Sequence, residues 1–474
     1  MEPDDMTEDL DDLILEMGDE MTRTATGWLV RDTLDLEYCA IQWLPDGLEV
    51  RGNLQLRGSS IRHLPLRLRV TGNLLASGLQ IEDLPADLQV DGRVCLTGTR
   101  LRSLPAGLNI GGDLDLSLSR IESLPERLVI RGDLDLSHTP LQALPEHLTV
   151  EGRLDLRGTK VSRLPPGVRV GGLLDLGLTP MCELPAGLVV EGSLDLLETL
   201  VEHLPEGLVV RDSLNLGGTL VVRLPEGLQV FGSLNLTDTA VAALPPGLSV
   251  GGDLHVQGTL ITALPAGLSV GGDLDLRGMP IRSLPAGLVV GGDLCLVKTQ
   301  IDTLPDDLVV RGSLDASGLP IRSLPAGFSV GGSLCLGGTL IEALPEALVV
   351  GGRLVIARTQ VRALPQGLQV GGGLDLSHTQ VSALPEGMLR IHGPLHLRGA
   401  PFRSLPTGLF VAGNLDVRDT LLQALPPGLH VGAWLNLDGT QIEITDLPAN
   451  LRAGGWVTMQ TSGWTVRKGG AAKP

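Results

Sequence analysis

Five aspartates recur at every twentieth position and form the most regular set of ionisable side chains in the chain. They are Asp115, Asp135, Asp155, Asp175 and Asp195. Carboxylates stacked at this regularity repel one another by about 1 kcal/mol even in water, so flanking bases such as Arg153 and Arg157, a basic partner or cations must offset them. Two interpretations stay open: a solubilising face that blocks unwanted sheet association, and a surface that binds a partner.

A second periodic set is apolar and falls at the last position of the same 20-residue period. We call it the apolar stripe, and it comprises Leu200, Leu220, Ala240 and Leu260, with Leu197 and Val222 expected close by. Elsewhere the same position holds polar residues such as Gln80, Arg100 and Lys160, which favours exposure. An exposed apolar stripe usually marks a contact site; the alternative is a position half buried in a corner of the fold.

The reactive side chains form no catalytic pattern. The five cysteines are scattered, odd in number and without metal-ligand spacing, which indicates a reducing compartment: Cys39, Cys95, Cys182, Cys295 and Cys335. His396, with His392 nearby, could serve as a proton-sensitive spot or a metal pair, or be an ordinary solvated side chain. No Ser/His/Asp order, HExxH, P-loop or dinucleotide fingerprint occurs. We therefore expect no enzyme, no metal and no cofactor.

Charge and hydropathy exclude further classes of function. The chain has 36 basic and 55 acidic residues, a formal charge of −19, which disfavours nucleic-acid binding because counterion release needs a basic surface. No apolar run is long enough to span a membrane, and no secretory signal pattern is present. These features predict a cytoplasmic protein in the producing cell, with non-classical export as an effector as the alternative.

The elements that position these residues follow from a 20-residue repeat. The stretch IRSLPAGLVVGGDLCLVKTQ (281–300) represents it, and repeat positions are numbered here from its Ile281. Apolar residues occupy positions 1, 4, 8, 10, 14 and 16, Pro occupies 5, Gly occupies 12, and Thr occupies 19 in 14 of 20 complete coils. The period of two around positions 8–10 and 14–16 predicts two short strands, and the recurring Pro and Gly leave no room for a helix.

The number of repeats and their ends predict the domain organisation. One Leu-Pro pair per repeat gives 21 pairs, from Leu44-Pro45 to Leu447-Pro448. We predict an all-β fold, a leucine-rich-repeat-like parallel β-solenoid of about 21 twenty-residue coils with capped ends. Position 15 should face outward, and the Gly at position 12 should serve a positive φ or a close backbone approach. The ranges are an acidic N-terminal segment with a capping helix (1–27), the solenoid (28–441), a C-terminal cap (442–467) and a flexible tail (468–474).

The N-terminal segment has its own pattern. Apolar residues fall on one helical face opposite acids: Met6, Leu10, Leu13, Ile14 and Met17. The alternative to a cap is a detachable segment that binds a partner or a chaperone. All five tryptophans lie near the two ends of the repeat region, which marks where covers are expected: Trp28, Trp43, Trp434, Trp456 and Trp464.

The repeat resembles a known family. The stretches LDLRGMPIRSLPAGL (274–288) and LDLSHTQVSALPEGM (374–388) have the leucine-rich-repeat form L-x-L-x-x-N-x-L, with Thr379 where that family has Asn. The Leu-Pro pair and the 20-residue period resemble the bacterial LPX subclass, which includes the YopM and IpaH effectors. The resemblance implies a binding module, and we expect no ubiquitin-ligase domain of the IpaH kind in this sequence. We expect the Thr column to replace the Asn ladder by satisfying turn backbone groups between coils.

The sequence as a whole predicts a non-enzymatic protein-interaction module, a bacterial effector or scaffold, that binds a protein partner along an extended repeat face. We predict that the aspartate column and the apolar stripe supply its contacts. The alternative is a structural element that assembles through the apolar stripe. A binding module should be monomeric or self-associate weakly, with no nucleic acid among its partners and no membrane span.

Overall fold

The computed structural model describes residues 21–25, 27–459 and 464–467. The helix predicted within residues 1–27 and the tail 468–474 lie outside the described residues. Met1–Val241 and Ala242–Pro474 form two compact units, and each is described by itself. In both units every turn of the chain carries a first strand at repeat positions 9–10 and a second strand at positions 14–15, and each strand pairs in parallel with its counterparts in adjacent turns.

In the described part of the first unit, eleven turns follow one covering strand, β1 (Met21–Arg23). The first strands are β2 Trp28–Val30, β4 Leu48–Val50, β6 Arg69–Val70, β8 Gln89–Val90, β10 Asn109–Ile110, β12 Val129–Ile130, β14 Thr149–Val150, β16 Arg169–Val170, β18 Val189–Val190, β20 Val209–Val210 and β22 Gln229–Val230. The second strands are β3 Leu34–Asp35, β5 Leu54–Gln55, β7 Leu74–Leu75, β9 Val94–Cys95, β11 Leu114–Asp115, β13 Leu134–Asp135, β15 Leu154–Asp155, β17 Leu174–Asp175, β19 Leu194–Asp195, β21 Leu214–Asn215 and β23 Leu234–Asn235.

The described part of the second unit also has eleven turns. Its first strands are β24 Ser249–Val250, β26 Ser269–Val270, β28 Val289–Val290, β30 Val309–Val310, β32 Ser329–Val330, β34 Val349–Val350, β36 Gln369–Val370, β38 Arg390–Ile391, β40 Phe410–Val411, β42 His430–Val431 and β44 Arg452–Ala453. Its second strands are β25 Leu254–His255, β27 Leu274–Asp275, β29 Leu294–Cys295, β31 Leu314–Asp315, β33 Leu334–Cys335, β35 Leu354–Val355, β37 Leu374–Asp375, β39 Leu395–His396, β41 Leu415–Asp416, β43 Leu435–Asn436 and β45 Trp456–Met459. A 3-10 helix (Ile444–Asp446) precedes β44, and β46 (Trp464–Arg467) follows β45.

The core consists of the apolar columns that the repeat predicts. In the turn 281–300 the buried side chains are Ile281, Leu284, Leu288, Val290, Leu294 and Leu296. The same six positions are buried in turn after turn, because alternate residues of a strand face the same side. The prediction of an all-β parallel solenoid with about 21 coils is confirmed.

Repeat position 13 carries a side-chain ladder that the sequence analysis did not anticipate. Asp133 N–H donates to Asp113 Oδ1 (2.9 Å), and Arg153 N–H donates to Asp133 Oδ1 (2.7 Å). The Gly at position 12 permits this contact, since a Cβ on Gly132 would lie 2.2 Å from Asp113 Oδ1. Of the two predicted roles of this Gly, close backbone approach is therefore the one observed here.

The Thr column at position 19 acts within each turn. Thr199 is buried, and its Oγ1 donates to the Leu196 carbonyl of the same turn at 2.8 Å. Thr179 and Thr219 make the same bond to Leu176 and Leu216. The expectation that these hydroxyls bond between coils is wrong, because position 19 lies beside the carbonyl of position 16 in its own turn.

The two ladders of strands are not equally continuous. Within each unit the second strands pair from turn to turn throughout the described residues. The first strands are interrupted between β10 and β12, between β16 and β18, and between β36 and β38. At the last interruption the turn is one residue longer than its neighbour, since Leu374 pairs with Leu395 whereas Leu354 pairs with Leu374.

The outermost turns are covered on one ladder each. β1 pairs with β2 antiparallel, and β46 pairs with β45 antiparallel. In the described residues β3 pairs with β5 alone, and β44 pairs with β42 alone. One end is thus covered on its first-strand ladder and the other on its second-strand ladder.

We predict that Thr199→Val lowers the free energy of unfolding by about 1 kcal/mol, since the Leu196 carbonyl loses one of its two donors. The other donor, the Thr199 N–H at 3.0 Å, remains. Urea denaturation measures the change, and Thr199→Ser, which keeps the hydroxyl, is the matched control. Equal stability of the Val variant and the native protein would contradict the assigned role of the hydroxyl.

Candidate functional site

The aspartate column lies on consecutive second strands of the first unit. Strand register places the five carboxylates side by side from β11 to β19. In every one, Oδ1 accepts a hydrogen bond of 2.8–3.1 Å from the backbone N–H two residues later, in the order Ser117, Ser137, Arg157, Gly177 and Leu197. Each aspartate therefore closes the turn that follows its strand.

Two members of the column are buried. Asp155 is 7% exposed and Asp175 is 5% exposed, whereas Asp115, Asp135 and Asp195 are partly exposed. The expectation that position 15 faces solvent is wrong for Asp155 and Asp175, because arginine side chains lie over them. Arg153 forms an ion pair with Asp155 and a second one with Asp175 at 3.4 Å.

The predicted counter-charges are present beside the column. Arg153 joins two carboxylates, Arg157 contributes a favourable Coulomb interaction at Asp175, and Arg93 pairs with Asp115 at 3.1 Å. Beyond Asp195 the column continues with neutral Asn215 and Asn235, whose side-chain amides donate along it. Basic side chains and amides thus offset the repulsion within the protein itself.

The surroundings shift the pKa values of two of these carboxyl groups in opposite directions. Burial raises the pKa of Asp175, and repulsion from Asp155 and Asp195 adds to it, against the lowering effect of the Gly177 N–H and Arg157. At Asp115 burial also acts to raise the pKa, but hydrogen bonds from Ser117, Thr97 and Cys95 outweigh it and the pKa lies below its usual value. The column is therefore not a uniform row of charges.

The apolar stripe is exposed in the first unit. Leu200 is 51% exposed, Leu220 48% and Val222 47%, and Ala240 is exposed as well. Leu197 is partly buried and lies beside Gly217, where an added Cβ would meet its Cδ1 at 3.1 Å. Leu260 belongs to the second unit and is 62% exposed there. Leu200, Leu220 and Leu260 each keep about half of their surface or more in solvent and are accessible to a partner, while the remainder of each side chain is covered.

A shallow cavity opens beside Leu200. Its volume is about 570 Å³, and Leu184, Ala186 and Leu204 form its apolar part. Glu183, Glu202 and His203 also line it. An apolar floor with a few polar groups around it is the usual composition of a recognition surface.

The sequence analysis missed an outward-facing stack in the second unit. The Arg390 guanidinium carbon lies 4.5 Å from the centroid of the Phe410 ring. The Phe410 and His430 rings stack with centroids 4.7 Å apart. These three residues share repeat position 9 after the one-residue insertion, so counting aromatic residues by repeat position would have found them. Exposed Leu118 and Phe231 were also not singled out.

The described ranges contain neither a metal-binding cluster nor a membrane-spanning helix. In the described ranges, no three His, Cys, Asp or Glu side chains are grouped so that they could hold a metal ion, and His396 Nδ1 lies 3.8 Å from Asp375 Oδ2. Nor do those ranges include a helix with the length and apolar character that a bilayer crossing requires. None of the five cysteines forms a disulfide within the described residues.

The two-strand turns, the leucine columns and the ladders between turns define a leucine-rich-repeat-type parallel β-solenoid. No protein-family model matches the chain, and no curated protein matches it. Among solved structures, YopM from Yersinia enterocolitica is similar at 20% identity, over 90% of this chain and 91% of that one, with a TM-score of 0.47. YopM from Yersinia pestis, a leucine-rich effector protein, is 17% identical over 90% and 88%, with a TM-score of 0.30.

A third similar structure is a leucine-rich-repeat protein from Leptospira interrogans. It is 16% identical over 87% of this chain and 91% of that one, and its TM-score is 0.24. At these identities and TM-scores the fold class rests on the strands and core of the chain itself.

We predict that Asp175→Asn raises the free energy of unfolding at pH 7. Asn retains the acceptor for the Gly177 N–H, as Asn215 does for Gly217 at 3.1 Å, and removes a charge that the folded state disfavours. Because the folded-state pKa of Asp175 is raised, the gain should disappear as the pH falls below that value and Asp175 itself becomes protonated.

Asp115→Asn is the matched control and should have the opposite sign at pH 7. The pKa of Asp115 is lowered in the folded state, so its stabilising contribution is present above the unfolded-state pKa and is lost as the pH falls through the folded-state value. Urea denaturation of both variants at pH 7 and pH 3 measures the effects. A loss of stability at pH 7 in both variants would rule out the assigned asymmetry.

Proposed function

We propose that the chain is a non-enzymatic protein-interaction module of the LPX leucine-rich-repeat type, a bacterial effector or scaffold that binds a protein partner along its outward repeat positions. The observation that carries this proposal is the exposure of three large apolar side chains, Leu200, Leu220 and Val222, on consecutive turns of the first unit. Contact sites are typically built from such clusters.

The surroundings of the apolar stripe support a contact role. Its members project from turns whose backbones are fixed by parallel pairing on the second strands, Leu194 with Leu214 and Leu214 with Leu234. A preordered surface loses little conformational entropy when a partner binds. The cavity beside Leu200 offers space for an apolar side chain of the partner.

The aspartate column has a more limited part in this proposal. Asp115, Asp135 and Asp195 are partly exposed and are suited to steer a partner with basic side chains. Asp155 and Asp175 act through the turns that they close and through Arg153, so they would support such a contact without forming it. Leu260 occupies the same repeat position in the second unit, is exposed there and is proposed as a contact of that unit.

We expect Leu200→Asp combined with Leu220→Asp to reduce partner capture by about tenfold or more, since buried apolar anchors of an interface typically contribute about 2 kcal/mol or more each. Folding should change little, because both side chains are about half exposed. Immobilised protein and quantitative mass spectrometry of retained proteins measure capture, and circular dichroism and thermal melting report folding.

Leu340→Asp is the matched control, since Leu340 occupies the same repeat position and is 40% exposed but has Pro320 and Gln360 at that position in the adjacent turns. Only proteins retained by native protein and by the control, and lost by the double variant, count as partners. No such protein, together with concentration-dependent growth that the double variant loses, would instead favour self-assembly through the apolar stripe.

A further inference from the structure

One strand ladder is open at each end of the described strands: the second-strand ladder at the N-terminal end and the first-strand ladder at the C-terminal end. At the N-terminal end β1 covers β2, while β3, in the same turn as β2, has β5 as its one partner among the described residues. At the C-terminal end β46 covers β45, while β44, in the same turn as β45, has β42 as its one partner there. Each end therefore presents one added strand and one open edge.

The backbone groups at the open edges can be named. The N–H groups of Leu34 and Leu36 donate to the backbone carbonyls of Asn53 and Gln55, each at 2.8 Å. Because successive residues of a strand direct their backbone groups to opposite sides, the N–H and C=O of Asp35 point to the open side. The same reasoning applies to Ala453, because Arg452 N–H and Gly454 N–H donate back to the preceding turn at 3.0 and 2.8 Å. Unpaired edge groups of this kind are a template for strand pairing with another chain.

The two ends complement each other strand for strand. When the C-terminal end of one copy faces the N-terminal end of another, β46 of the first lies where β3 of the second lacks a partner, and β1 of the second lies where β44 of the first lacks one. Both ladders then contain one antiparallel strand between the two outermost turns. On both ladders the outermost strands of the two copies are then separated by two strand spacings, about 9.6 Å. Both ladders can therefore form their new strand pairs at the same time.

The charge distribution favours the same contact. Residues 1–20 contain ten acids and no base, whereas residues 447–474 contain four bases and no acid. Among the described residues, Asp32 and Asp35 are exposed next to the N-terminal open edge, and Arg452 is exposed on the C-terminal one. Unlike ends therefore carry opposite charges and attract each other, whereas like ends carry the same charge and repel each other.

We propose that copies of this chain associate head to tail, with β46 of one copy pairing with β3 of the next and β1 of the next pairing with β44 of the first. The contact is heterologous, and each copy keeps one free end of each kind, so association continues beyond two copies. A single extended peptide fills one of the two open edges and leaves the other unpaired, which is why a second copy is the better occupant. The proposal is independent of the apolar stripe.

Proline variants at the open edges test the proposal. Asp35→Pro and Ala453→Pro each remove an N–H that points to an open edge and that no described residue uses, and the ring closes onto that nitrogen, away from the core. Light scattering coupled to size exclusion, over a wide concentration range, measures the mass. Native protein should grow through multiples of the 49.8 kDa chain. Each Pro variant alone should stay at the mass of one chain, because every head-to-tail contact would need its altered end.

Mixing the two Pro variants gives the sharpest readout. The intact C-terminal end of Asp35→Pro and the intact N-terminal end of Ala453→Pro should pair, so the mixture forms a species of two copies and stops there. Asp35→Ala and Ala453→Ser keep the N–H groups and should assemble like native protein. The combination of Leu200→Asp and Leu220→Asp should also assemble, which separates this contact from the one under Proposed function.

Several results would overturn the proposal. Native protein that stays at the mass of one chain at every concentration would show that the edges are occupied within the copy or do not pair. Growth that both Pro variants retain would place the contact elsewhere. If either Pro variant fails to fold by circular dichroism, the charge reversal Asp32→Lys with Asp35→Lys replaces Asp35→Pro and Arg452→Glu replaces Ala453→Pro, with Arg69→Glu as the control at the same repeat position. Each charge-reversal variant alone should lose assembly. Their mixture should grow beyond two copies, because the two reversed ends attract each other.

Discussion

Backbone hydrogen bonding between successive turns is the interaction on which the rest of this structure depends. The strands are mostly dipeptides, and a single turn has too little buried surface to fold by itself. Stacking supplies what one turn lacks, because each turn covers the apolar face of the next and pairs its backbone. The close approach at Gly132, with the Asp113 carboxylate accepting across the turn boundary, shows how the spacing between turns constrains residue choice.

That constraint separates the residues that build the fold from those free to vary. Inward positions hold Leu, Val and Ile with little change, and positions 12, 13 and 19 hold residues that complete the backbone hydrogen bonding. Outward positions 9 and 20 differ from turn to turn, whereas position 15 holds Asp in five successive turns and other residues elsewhere. The Arg390–Phe410–His430 stack and the apolar stripe lie at such outward positions, so their side chains can change without loss of the scaffold.

The fold was predictable because alternation and Leu spacing report directly on which side chains face the core, as for Leu294 and Leu296. The exposure of Leu200 and Leu220 was predictable for the same reason, since polar residues share their position in other turns. The burial of Asp155 and Asp175 was not, because it depends on where the flexible Arg153 side chain lies. The partner of the Thr199 hydroxyl could not be chosen either, since spacing alone does not distinguish a carbonyl in the same turn from one in the next.

The unequal continuity of the two ladders has a consequence for how the chain tolerates change in length. Between β36 and β38 the first strands do not pair, yet Leu374 and Leu395 stay in register across the turn that holds the inserted residue. The additional residue is accommodated wholly on the first-strand side, while the second-strand side keeps its spacing. Insertions and deletions can therefore accumulate in the part of a turn that leads to the first strand. The paired second strands keep successive turns in register.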